Sequence, residues 1–482
     1  MKLRELLAGV PICAGSADLE MEISGVSYDS RTTRPGDLFV AMTGFATDGH
    51  QYIAKALANG AAAVLCQRRP AEACAYVQTE DSRRALAVIG GNWFGHPAEE
   101  MTMIAVTGTC GKTTTTYLLK AILEQARGAK VGLIGTNQNM IGSDVIPTER
   151  TTPESFEVQK LFREMADAGC THVVMETSSH ALYLDRVYGV RYDVGIFTNL
   201  TQDHLDFHKT MENYCDAKAI LFRNCVTGVV NADDPWTPRL LKDAGCKVMT
   251  YAEQTDADLR AENIVLSAGG IAFDAVSGAE RVPIRVNIPG GFMVYNTLDV
   301  LGAALALGIS LEESAAVLAK VPHVKGRVEI VPTPDKDYTI LIDYAHTPDS
   351  MVNVLQTVKE FAKGRTVAVF GCGGDRDRTK RPLMGKAAAD WSDFAVVTTD
   401  NPRTEEPEAI IADILPGFDG SATPYHVVVD RIEAIHWAMD HAEKDDVIVL
   451  CGKGHETYQE VNHVKHHMDE REIVADYLSS GR

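Results

Sequence analysis

The sequence predicts an α/β protein of three domains: a central doubly wound, mostly parallel sheet with a phosphate loop, a Rossmann-like α/β C-terminal domain and a smaller α/β N-terminal domain. Three observations lead there. Short apolar or β-branched runs alternate with helical stretches, the pattern of parallel sheets covered on both faces. A chain of 482 residues exceeds what one hydrophobic core supports. A glycine-rich turn, Thr107 to Thr114, stands between an apolar run and a helical one, where such folds bind phosphates.

The first block, residues 1–97, mixes short strands with an Ala-rich helix expected over Ile53 to Ala63. Gly90 to Pro97 reads as turn chemistry that closes it. The second, residues 98–328, opens on Met103-Ile-Ala-Val106 and continues through apolar runs at Lys130–Ile134, His172–Met175, Val194–Phe197 and Gly228–Val230. The third, residues 329–482, has strand candidates at Thr339–Ile342, Thr366–Phe370, Phe394–Thr398 and Val447–Leu450. Val321 to Arg327 is the expected linker between the last two.

Composition narrows the function. The chain is 45% hydrophobic and 23% charged, ordinary for a globular protein. It has no run of about 18 apolar residues, and its first residues carry Glu5 within too short an apolar stretch for a secretory signal, so a cytoplasmic protein is expected. The formal charge of −20 repels nucleic acid and anionic membrane, so neither is an expected partner. The ten cysteines form no CxxC pair, which speaks against a zinc site or disulfide framework.

The phosphate loop reads Thr107-Gly108-Thr109-Cys110-Gly111-Lys112-Thr113-Thr114. Glycines let backbone N–H groups approach phosphate oxygens, and the helix N-terminus favours their charge. Lys112 reaches the β- and γ-phosphates, and the Thr113 hydroxyl binds Mg²⁺. The strict pattern wants glycine where this chain has Val106. Glu176 and His204 follow strands on the ligand-binding edge of the sheet, where a carboxylate and one imidazole complete an Mg²⁺ octahedron of water and phosphate. Taken alone, His204 reads as readily as a solvated loop histidine, and Lys218 as a surface lysine. Asp400-Asn401-Pro402-Arg403 follows another strand; Pro402 stiffens the loop and the Arg403 fork suits a carboxylate, with a surface arginine as the alternative. His463, His466 and His467 suggest a solvated C-terminal helix or turn rather than a metal site.

The order and spacing of Thr107–Thr114, Glu176–His180, Asn199–His208 and Lys218 resemble those of the Mur ligases. The likeness extends over nearly the whole chain, through Ser30-Arg31 with Gly36–Phe39, Leu341–Pro348, Val369–Asp377 and Gly452–Glu456. It implies an ATP-dependent ligase that adds meso-2,6-diaminopimelate to the D-Glu carboxylate of UDP-N-acetylmuramoyl-L-alanyl-D-glutamate through an acyl phosphate. Residues 1–97 would bind the UDP-sugar, 98–328 would form the ATPase domain and 329–482 would bind the amino acid. ATP would contact Gly108 to Thr114, Asn296, Arg327 and Asp343, with catalysis by Lys112, Glu176, His204, Lys218 and His346. Two Mg²⁺ ions would use Thr113, Glu176, His204 and a Lys218 carbamate formed from CO₂. The muramyl substrate would meet Ser30, Phe45, Ala46, Thr47, Thr151, Thr152, Ser178 and Arg186. Diaminopimelate would meet Arg376, Asp400, Asn401, Pro402, Arg403, Gly452 and Glu456. A monomer is expected. Cys110, Leu184 and Met293 depart from residues common in the family. The alternatives are the same reaction with lysine or another diamino acid, a folylpolyglutamate-type ligase, and an ATP-binding muropeptide sensor that does not ligate.

Overall fold

The computed structural model describes residues 1–44, 47–148, 150–267, 269–321 and 324–480. They form two compact units, residues 1–250 with 306–308, and residues 251–305 with 309–482.

The first unit contains two sheets. The smaller has the order Ala14–Gly15, Tyr76–Gln78, Ala63–Cys66, Asp37–Val40, Gly25–Ser27, antiparallel only at the first pair. Leu3, Leu6, Leu38, Leu65 and Leu86 pack its core. Two expectations are corrected here. The helix begun at Ile53 ends at Ala58, because Gly60 takes a left-handed φ of 97° and the strand starts at Ala63. Gly90 and Gly91 are not a turn but lie inside the helix Ser82–Phe94, which Gly95 ends in the left-handed conformation. A Cβ at Gly90 would stand 3.2–3.5 Å from Gln159 and Phe156, so the small residue there permits close packing of this helix on Ser155–Asp167.

The larger sheet carries five parallel strands in the order Cys225–Asn231, Tyr192–Phe197, Thr102–Thr107, His172–Glu176, Val131–Ile134. A hairpin, Asn139–Ile141 with Asp144–Ile146, borders Val131–Ile134 antiparallel. The chain leaves Thr102–Thr107 toward one edge and later crosses to the other. That reversal opens a crevice at the C-terminal ends of the central strands. The phosphate loop, Glu176 and Thr198 all lie there.

The second unit opens with an antiparallel meander, Leu259–Ser267, Gly270–Ser277 and Glu280–Val286, followed by helix Phe292–Ala306, whose residues through Leu305 belong to this unit. Its main sheet has the order Glu329–Val331, Thr339–Asp343, Val447–Cys451, Thr366–Phe370, Phe394–Val397, Tyr425–Val427, antiparallel only at the first pair. Leu341, Ala368 and Val449 pack on one face, and Ile340, Val367 and Ile448 on the other. Both faces are therefore covered, which is why these strands read as continuous apolar runs. The histidine-rich segment, expected as a helix or turn, is a hairpin, Tyr458–Val461 with Val464–His467, with His463 in its turn beside Asn462, both at positive φ, and His466 and His467 on its second strand. No helix among the described residues is long and apolar enough to cross a membrane.

Candidate active site

The phosphate loop of the first unit is pinned by the neighbouring strand end. Thr198 Oγ1 donates to Cys110 O at 2.6 Å, and Cys110 N donates to Asn199 Oδ1 at 3.0 Å. Gly108 has φ 153°, and a Cβ there would fall 1.8 Å from Thr198 Oγ1. Lys112 starts the helix Lys112–Arg127 and folds its amine back onto the loop, donating to Gly108 O at 2.9 Å and Thr109 O at 2.7 Å.

Lys218 arrives at the same carbonyl from helix Met211–Arg223 and donates to Gly108 O at 2.7 Å. It is 1% exposed, so the surface-lysine alternative is set aside. Burial, then the nearby Lys112 charge, pushes its ammonium well below the usual lysine range. Both effects favour the uncharged amine, the form that takes up CO₂. The Tyr214 ring lies 4.4 Å beneath it.

Glu176 ends its strand under the loop. Its Oε1 accepts from Thr113 Oγ1 at 2.9 Å and Thr136 N at 3.0 Å, and its Oε2 from Thr136 Oγ1 at 2.9 Å. Thr113 and Glu176 thus present hard oxygen donors at hydrogen-bond separation, a set that fits Mg²⁺ with phosphate and water completing the shell. Among the described residues no group of three or more His, Cys, Asp or Glu gathers as a metal centre. His204 is 46% exposed on its side chain, beside Asp203, with its ring 4.8 Å from His180 and 6.1 Å from Tyr214.

A polar strip leads away from Glu176. Thr151 Oγ1 is 3.0 Å from Thr136 Oγ1; Thr152 Oγ1 donates to Glu176 O at 2.9 Å and accepts from Ser178 N at 3.1 Å. Arg186 donates to Thr152 O at 3.1 Å and pairs with Glu154 at 3.4 Å. Ser30 is buried in the turn after the strand Gly25–Ser27, its carbonyl accepting from Asn59. Thr47 O accepts from Gly44 N. Phe45 and Ala46 lie outside the described residues, as do Pro322 and His323 of the expected linker.

The second unit builds its own cluster at the ends of its central strands. Asn401 Oδ1 accepts from Lys453 Nζ and Glu460 N, both at 2.8 Å, and its Nδ2 donates to Glu456 Oε2 at 2.9 Å. Arg403 has φ 52°, and the hairpin holds it there: its N donates to Glu460 O and its O accepts from Asn462 N. Its guanidinium donates to Gly374 O at 2.7 Å and pairs with Glu460 at 3.2 Å. It is mostly buried, not a surface arginine. A Cβ at Gly373 would stand 3.0 Å from Arg403 and 3.8 Å from Arg376, so both side chains border that glycine. Gly452 lies against the Asp400 carboxylate, and Pro402 backs Gly374.

Asp343 is buried, accepting from Val328 N and Ala345 N at 2.8 Å; burial raises its carboxyl and Arg327 opposes the rise. Arg327 lies over the Tyr344 ring, which His346 also touches. Asn296 is buried in its helix with its amide toward Met293 Sδ.

Family models match residues 22–92 (Mur ligase family, catalytic domain), 106–304 (Mur ligase middle domain) and 326–454 (Mur ligase, glutamate ligase domain). A Clostridium botulinum protein named UDP-N-acetylmuramoyl-L-alanyl-D-glutamate--2,6-diaminopimelate ligase is 48% identical over 463 residues, 95% of each chain. The chain belongs to the Mur ligase family. A Clostridium acetobutylicum Mur ligase of the same name, numbered 1, is 48% identical over 99% of both chains. A solved structure of a ligase with that name matches with a TM-score of 0.72 at 33% identity, covering 100% of this chain and 99% of that one.

Within each unit the structure brings most of the expected residues together: Lys112, Thr113, Glu176 and Lys218 in the first, and Asp400 to Arg403, Gly452 and Glu456 in the second. Sequence reasoning missed Thr136 and Lys453. Thr136 follows Gly135 directly after a strand, a signal shared by many turns. Lys453 stands inside a motif whose neighbours were assigned and whose lysine was not.

Proposed function

We propose that this Mur ligase uses ATP to join meso-2,6-diaminopimelate to the D-Glu γ-carboxylate of UDP-N-acetylmuramoyl-L-alanyl-D-glutamate, giving the UDP-linked tripeptide, ADP and phosphate for cell-wall synthesis. The observation that carries the reading is the convergence of two amines, Lys112 and Lys218, on the Gly108 carbonyl beside Thr113 and Glu176. Near-full-length identity of 48% to ligases of that name supports the substrates.

The carboxylate oxygen attacks the γ-phosphorus of ATP and ADP leaves; the diaminopimelate amine then attacks the acyl phosphate carbon and phosphate leaves. Backbone N–H groups at the start of the helix, Gly111 to Thr114, and the Lys112 amine, once it turns from the Gly108 and Thr109 carbonyls, would hold the phosphates in line. Mg²⁺ bound by Thr113 and Glu176, and by His204 with a carbamate on Lys218, would neutralise phosphoryl charge. Thr136 fixes the Glu176 carboxylate so that it needs no reorientation. Thr151, Thr152, Ser178 and Arg186 hold the peptide end of the substrate, and Ser30 with the Gly44–Gly49 loop holds the nucleotide end. Asn296, Arg327, Asp343 and His346 serve ATP, as the family likeness suggests. Arg403 and Arg376 take the far carboxylate of diaminopimelate, and Glu456 its ammonium. Lysine lacks that carboxylate and would leave Arg403 with only its Glu460 and Gly374 contacts, forgoing charge-assisted hydrogen bonds worth roughly 1.5–3 kcal/mol.

ADP and phosphate release is measured with the muramyl dipeptide nucleotide and a panel of diamino acids. Release that requires both substrates and is fastest with meso-diaminopimelate supports the reading. Release indifferent to every diamino acid sinks it.

A further inference from the structure

Lys453 is 0% exposed, and its amine spends two hydrogen bonds on side chains: Asn401 Oδ1 and Glu456 Oε2, each at 2.8 Å. Asn401 Nδ2 donates to the same Glu456 oxygen at 2.9 Å. Glu456 therefore meets any ligand with one oxygen already saturated and its charge already paired. The Tyr458 ring, 5.2 Å from the amine, closes another side.

The strand ends beneath do not depend on Lys453. Buried Arg431 ties them, donating to Cys451 O at 2.8 Å and Thr399 O at 3.4 Å while it pairs with Glu470 at 2.8 Å. Lys453 thus acts on side chains above a scaffold fixed by another cation.

We infer that Lys453 is a specificity-determining positioning residue: it holds Asn401 and Glu456 in place and weakens the pull of Glu456 on a bare ammonium. The inference rests on the diaminopimelate reading. A Glu456 carboxylate without Lys453 would attract the side-chain ammonium of lysine by charge alone. With Lys453 in place that attraction is discounted, and an amino acid gains full affinity only by also offering a carboxylate to Arg403 and Arg376. A terminus carrying both charges satisfies the cluster; a singly charged one does not.

The test uses full-length enzyme with ATP and the muramyl dipeptide nucleotide, and compares wild type, Lys453→Gln and Lys453→Met. KM is measured for meso-diaminopimelate and ATP, with kcat/KM for diaminopimelate and lysine. Gln keeps a donor near Asn401 and removes the charge. It is expected to lower the diaminopimelate-to-lysine ratio by roughly tenfold with KM for ATP unchanged. Met removes both, and KM for diaminopimelate is expected to rise by roughly tenfold or more. If Met does not fold, Gln decides alone. A folded Gln variant with an unchanged ratio, or one whose KM for ATP climbs in step with that for diaminopimelate, overturns the role of Lys453 while wild-type ligation leaves the enzyme reading intact. Wild type that ligates no diamino acid overturns both.

Discussion

Two buried lysines, Lys218 in the first unit and Lys453 in the second, have opposite surroundings. Lys218 faces a carbonyl, an aromatic ring and another cation. Lys453 faces a carboxylate and an amide oxygen. Burial is the same; the partner differs. An amine buried beside a carbonyl and another cation is pushed toward its uncharged, nucleophilic form, whereas one buried with a carboxylate becomes part of the framework. The second unit treats its other buried cations as it treats Lys453: Arg431 pairs with Glu470, and Arg381 with Glu405 and Asp413.

The strongest way to break this contrast is Lys218→Ala. Ligation is expected to fall by about a thousandfold, in line with loss of a group that sets phosphoryl charge, and to recover partly with a short added carboxylate. A ¹³C carbamate signal from wild type in labelled bicarbonate should vanish in the variant. Full activity in the variant would remove Lys218 from the chemistry.

Next in size is Arg431→Met. It strands the Glu470 carboxylate in the core and is expected to destabilise the fold by about 3–5 kcal/mol, read from denaturant unfolding. A near-neutral result would mean that Glu470 protonates freely and that the pair is not part of the framework.

Arg403→Ala follows. It is expected to lower kcat/KM for diaminopimelate by roughly tenfold to a hundredfold while ATP affinity holds. Equal losses for both substrates would point to a loop that has collapsed.

Acid sharpens the framework side. Arg381 holds the Glu405 carboxyl at about 2, below its usual 4.5. A depressed carboxyl stabilises the fold fully above its unfolded value, and that contribution disappears as pH falls through about 2. The stability gap between wild type and Glu405→Gln should be open at pH 6 and shrink steadily on acidification below about 4.5. A constant gap would contradict the ion pairing.

The smallest effect separates function from stability. Lys218→Met removes a buried amine whose acceptor, Gly108 O, keeps Lys112 as a donor. Its melting temperature is expected to match or exceed wild type by about 2–4 °C, although ligation is lost. A clear drop in melting temperature would make Lys218 structural.

What the sequence determined by itself follows from period and spacing. Apolar runs located the central strands of both main sheets, because strands buried on two faces must be apolar throughout, but not the edge strands Glu329–Val331 and Tyr425–Val427. The glycine-rich turn before Lys112 marked the phosphate loop, because only that order of strand, turn and helix aims backbone donors at one point. The motif spacing placed the chain in its family. Local propensity misled where packing overrode it: Gly90 and Gly91 read as a turn, yet another helix needed their lack of side chains. The hairpin of Tyr458 to His467 was hidden because its strands, one half-buried and one exposed, carry no apolar period. Only the tertiary structure decided that Lys218 is buried against Gly108 across 110 residues, that Thr136 steadies Glu176 across 40, and that Lys453 reaches Asn401 across 52. A charge's worth depends on what surrounds it in space, and neighbours so far apart in the chain leave no mark in the local order of residues.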